Sequence, residues 1–70
     1  MDKSDTTKLE KHLRRTFANQ TIRVVARPKQ ADSAEMFVGE EFIGVIFVDD
    51  EDGDRSFNLQ IAILAEDLTA

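Results

Sequence analysis

Residues 42–48 read FIGVIFV, a stretch without a single polar side chain. Successive side chains of a strand turn to opposite faces, so a strand built from these residues carries large apolar groups on both. One face can lie on a core. The other needs a second explanation, and a chain of 70 residues has little spare sequence with which to cover it.

The remaining sequence supplies one helix and three more strands. Thr7 followed by Glu10 fits a capping box, with residues 1–6 left as a disordered tail. Leu9, Leu13 and Phe17 then recur at helical spacing and form one buried stripe, with Lys8, Lys11, Arg14 and Arg15 on the opposite side. Arg14 and Arg15 complement the dipole of the last turn, and Asn19 is the expected left-handed terminator. After residue 20 the period changes to two. Strands are expected over 21–27, ended by Pro28, and over 33–38, 42–48 and 55–64. Gly39 to Glu41 reads as a hairpin connection, and Asp52-Gly53 as a type I′ turn between the third and fourth strands.

These elements predict an α+β domain in which an N-terminal amphipathic helix packs on one face of a four-stranded antiparallel meander, in the order α-β-β-β-β. An alternative exists at the C-terminus. Phe57, Ile61, Leu64 and Leu68 also match a helical stripe, which would give α-β-β-β-α, but the alternation of Phe57, Leu59, Ile61 and Ile63 with smaller or polar residues favours a strand.

A single helix covers one sheet face only, and the fourth strand indicates which. Pairing through Asp52-Gly53 sets Val48 opposite Phe57 and Ile46 opposite Leu59, so Phe42, Gly44, Ile46 and Val48 join the core face. Ile43, Val45 and Phe47 then point away. A three-residue loop at Gly39–Glu41 adds Phe37 to that outer cluster, whereas a two-residue loop shifts the register. Four large apolar residues side by side make a patch of the size that marks an interaction surface. The competing explanation is a cover, supplied by the C-terminal tail through Leu68 or by a long loop around Pro28.

The chemistry-bearing motifs are sparse. The chain has no cysteine and one histidine, His12, which excludes disulfides and the usual cysteine or histidine zinc sites. Glycines stand only at 39, 44 and 53, too few for a dinucleotide or P-loop cradle. No catalytic residue and no cofactor are expected. The acidic loop DDEDGD invites a calcium reading, but setting Gly53 at the invariant glycine of an EF-hand loop puts Val48 and Leu59 at two essential ligand positions. Asp50 and Arg55 are expected to face each other across that loop.

Charge is divided unevenly. Residues 1–30 carry eight Lys and Arg against three acids, and residues 31–70 carry one against eleven. The two halves can neutralise each other within the fold. Alternatively, Lys8, Lys11 and Arg15 on the exposed helix face bind an anion or nucleic acid, a reading opposed by the acidic second half and by the lack of Tyr and Trp for stacking. No apolar stretch approaches the length of a membrane span or a signal sequence, so a cytoplasmic protein is expected.

The stretch SAEMFVGEEFIGVIFVDDEDGDRSFNLQIAIL, with the upstream LRRTFANQTIRVVARP, resembles a family of short bacterial proteins catalogued as a domain of unknown function. The resemblance runs from about Leu9 to Leu68 and is most specific at EEFIGV and at the acidic hairpin before SFNLQIAIL. It implies a small stand-alone bacterial domain and brings no site residues with it. The function expected from the residues is therefore non-enzymatic protein–protein contact, with homodimer formation through Phe37, Ile43, Val45 and Phe47.

Overall fold

Asp2 starts the first element. The computed structural model describes residues 1–51 and 53–68, and its helix α1 spans Lys3–Thr16, with the Asp2 carboxylate accepting from the Asp5 amide at 2.8 Å. Residues 3–6, expected in a disordered tail, form its first turn. An aspartate at this position both caps an amide and places negative charge at the positive end of the helix dipole, which is why it takes the role expected of Thr7.

The apolar stripe is shorter than its spacing suggests. Leu9 and Leu13 face the sheet, whereas Phe17 is the C-cap residue and 55% exposed. The left-handed position falls at Ala18, with φ of 52°, and not at Asn19. Asn19 instead accepts from the Thr21 amide at 2.8 Å and the Thr21 hydroxyl at 2.6 Å, which ties the connection to the first strand. A Cβ in the left-handed region costs about 1 kcal/mol, so Ala18→Gly is expected to raise stability by roughly 0.5–1 kcal/mol. For a domain this small that is a rise of a few degrees in the thermal midpoint, readable by circular dichroism.

The strands are β1 (Ile22–Arg27), β2 (Gln30–Val38), β3 (Glu41–Asp49) and β4 (Ser56–Ile61). They pair antiparallel in the order β1-β2-β3-β4, giving the expected α+β meander in the order α-β-β-β-β. Three details differ from the sequence reading. Pro28 and Lys29 make a tight connection, so no long loop exists there to cover the sheet. β4 stops at Ile61, which leaves Ile63 exposed and outside the sheet. Beyond it, Ala65–Leu68 forms one 3-10 turn in place of the alternative helix.

The core lies between α1 and one sheet face. Leu13, Ile22, Val24, Ala34, Met36 and Ile46 are buried, with Met1, Leu9, Val38, Phe57 and Leu59 packed around them. Helix side chains also reach the outer edge of β1. Arg14 Nε donates to the Ile22 carbonyl at 2.8 Å, the Val24 amide donates to Glu10 Oε1 at 3.1 Å, and the two side chains pair at 3.5 Å. A carbonyl and the amide two residues further on are groups that an additional strand would engage. Glu10 and Arg14 take its place, so Glu10 serves β1 and not a capping box. One carbonyl and one amide on the outer edge of β1 are thereby occupied. No helix among the described residues is long and apolar enough to cross a membrane.

Candidate functional site

The outer face of β3 is set by two registers. Between β3 and β4, Val48 pairs with Phe57 and Ile46 with Leu59, as the alternation predicts. Between β2 and β3 the connection is shorter than expected. Val38 pairs with Glu41, leaving Gly39, at φ of 61°, and Glu40 as a two-residue turn. That turn alone would exchange the faces of β3. The register then slips, because Phe37 pairs with Phe42 but Met36 with Gly44, so Ile43 is the extra residue of a bulge. The bulge restores the parity, and Val45 and Phe47 point away from the core after all.

Phe42 is the residue that changes sides. Expected on the core face, it lies on the outer one, 51% exposed, with its ring edge-on to Phe37 at 5.7 Å between centroids. The Arg23 guanidinium covers the same Phe37 ring at 4.8 Å. Phe42, Ile43, Val45 and Phe47 line a concavity of about 560 Å3, with Leu64 and Asp67 of the C-terminal segment on its wall. Three of the four expected interface residues thus share one hollow. Phe37 borders it through Phe42. The tail walls the hollow without closing it, and Leu68, the expected cover, is 72% exposed.

Phe42 and Leu64 are the members that sequence reasoning misses. Phe42 and Ile43 are adjacent and both apolar, so no alternation marks where the extra residue sits; Leu64 reads as the end of a strand that in fact stops at Ile61.

A second, smaller hollow of about 260 Å3 opens on the core side, between α1 and β4. Leu9, His12 and Leu13 line it from the helix, and Ile46, Phe57 and Leu59 from the sheet. His12 Nε2 lies 3.3 Å from the Thr16 hydroxyl. Lys8, Lys11 and Arg15, the candidate anion-binding residues, are exposed on α1 and line neither hollow.

The acidic loop is wider than a two-residue turn, since the ladder ends at Asp49 and Ser56. Asp52, half of the expected type I′ pair, lies outside the described residues. Among the described residues, no group of three or more His, Asp or Glu side chains is placed to hold a metal ion.

Arg55 turns away from Asp50 and grips Asp5 of α1 with two hydrogen bonds, at 2.8 and 3.2 Å. The Arg55 hydrogen bond holds the Asp5 carboxyl below its ordinary value of 3.8, burial opposing and the guanidinium charge reinforcing it. A lowered folded-state pKa stabilises the fold above the unfolded value, and that contribution is lost as pH falls through the folded one. Asp5→Asn is therefore expected to be less stable than the parent at neutral pH. The difference should close below pH 3.8, as urea midpoints measured at both pH values would show.

Comparison with curated proteins and with solved structures returns no match. A family match extends over residues 5–67, which takes in all of α1 but its first two residues, the whole sheet and the residues lining both hollows. On that coverage, the chain belongs to the family described as "Protein of unknown function (DUF3126)".

Proposed function

We propose that this chain is a non-enzymatic contact module that pairs with a second copy of itself through the outer face of β3. The observation that carries the reading is the gathering of Phe42, Ile43, Val45 and Phe47 around one open hollow, on the sheet face that α1 does not cover. Apolar clusters of this extent on a small domain mark contact surfaces, whereas scattered exposed apolar residues do not. A twofold contact of the patch with itself needs no second surface. Four such side chains amount to roughly a few hundred Å2, against about 800 Å2 per partner in a standard interface, which favours a weak, concentration-dependent dimer.

The test is solution mass across a concentration series, by size exclusion with light scattering. Detection is by refractive index because the chain has neither Trp nor Tyr. The expected result is a rise from 7.9 kDa toward twice that mass, unchanged by added salt. Val45→Glu should hold the mass at 7.9 kDa while keeping the parent circular dichroism spectrum. A monomer at every concentration removes the reading, and an association that salt dissolves transfers it to the charged faces.

A further inference from the structure

The two edges of the sheet are treated differently. β1 has its outer Ile22 carbonyl and Val24 amide taken by Arg14 and Glu10, whereas β4 pairs with β3 on one side only. Natural sheets protect an edge with charge, proline, a bulge or a covering element. SFNLQI contains no charged residue and no proline, and its register with β3 is unbroken.

The backbone of β4 is also oriented for a partner. The Gln60 carbonyl lies against Gly44 of β3, and antiparallel ladders alternate, so the amides and carbonyls of Phe57, Leu59 and Ile61 turn outward. The same three residues carry their side chains on the core face. There the hollow between α1 and β4 stays open, and Phe57 and Leu59 are only half-buried. A strand added at about 4.8 Å from β4 would set every second side chain at the mouth of that hollow.

We propose that the β4 edge and the hollow beside it form a second binding site, which takes an extended peptide segment as a fifth strand. Its backbone pairs with Phe57, Leu59 and Ile61, and alternate apolar side chains enter between Leu9, Leu13 and Phe57. Charge selects the occupant. Asp49, Asp50, Glu51 and Asp54 stand at one end of β4, and Asp67 follows the other end, while Arg55 is engaged by Asp5. An antiparallel second copy of β4 would bring acidic loop against acidic tail. A segment of another protein with basic residues flanking a short alternating stretch meets opposite charge at both ends.

The probe is a capped synthetic peptide of alternating valine and threonine flanked by lysine pairs, titrated into the isotopically labelled full chain and followed by amide resonances. Saturable shifts are expected over Phe57 to Ile61 and at Leu9 and Leu13, equally in the parent and in Val45→Glu. The same peptide N-methylated at alternate residues, and so without two donors, should bind at least about tenfold more weakly. Equal binding of the methylated peptide, shifts centred on Val45 and Phe47, or no shift at millimolar peptide would overturn the proposal. So would shifts of the β4 amides with protein concentration alone, which would assign the edge to a second copy. Val45→Glu separates the two surfaces, since it alters the outer face of β3 and leaves the outward backbone groups of β4 in place.

Discussion

Gly44→Ala is expected to remove roughly 2–3 kcal/mol of stability, the upper part of the range for overfilling a packed site. A Cβ at Gly44 would collide with the Gln60 carbonyl oxygen and sit 3.2 Å from both the Gln60 carbonyl carbon and Ile61 Cγ1. Two of those three atoms are backbone, so no rotamer change relieves the clash. Relief requires β4 to move off β3, which loosens the ladder from Gly44–Ile61 toward Ile46–Leu59 and lets Leu59 and Phe57 shift from the core. A domain of this size holds only about 3–5 kcal/mol in all, so the variant should be partly unfolded at 25 °C. Urea unfolding followed by far-ultraviolet circular dichroism would show this directly. A parent-like midpoint would mean that β3 and β4 tolerate a wider separation and that Gly44 constrains nothing.

The second large effect is at Ile46. It is 1% exposed, sits between Ala34 on β2 and Leu59 on β4, and belongs to the buried cluster under α1. Ile46→Ala deletes three carbons from the middle of that cluster, and large-to-small changes of this kind cost about 2–5 kcal/mol. The residue before it is expected to behave in the opposite way, since Val45→Glu places a charge on the open face and leaves the fold intact. Neighbouring positions with opposite outcomes test the face assignment of β3 more sharply than either alone. If Val45→Glu unfolds the protein while Ile46→Ala is tolerated, the two faces are exchanged and the proposed contact surface is the core.

How far the sequence foretells these features depends on whether a signal is local. The pairing of Val48 with Phe57 is legible because polar and apolar residues alternate cleanly in β4 and the sequence between the strands holds one strong turn signal, Asp-Gly, at its middle. The same argument fails at Phe42 and Ile43, where two adjacent apolar residues carry no parity and the bulge between them is invisible. The helix start is missed for a related reason. Thr7 and Glu10 satisfy a capping pattern, but Glu10 is needed fourteen residues further on, at the Val24 amide, and a local motif cannot report a tertiary partner. Charge misleads as well. The basic first half and acidic second half suggest lysines and arginines of the helix reaching acidic loops, yet an ion pair that joins the halves among the described residues runs the other way, from Asp5 to Arg55. The outer apolar patch is legible in kind and in three of its members, because any arrangement of FIGVIFV leaves one side uncovered.

The occupied β1 edge has a consequence for growth. Head-to-tail extension of a sheet requires each molecule both to accept a strand and to offer one, and only then does addition repeat without limit. Here one end of the sheet is terminated by Glu10 and Arg14 from the molecule's own helix. A further copy arriving at β1 would find the Ile22 carbonyl and the Val24 amide already engaged, which opposes addition at that end.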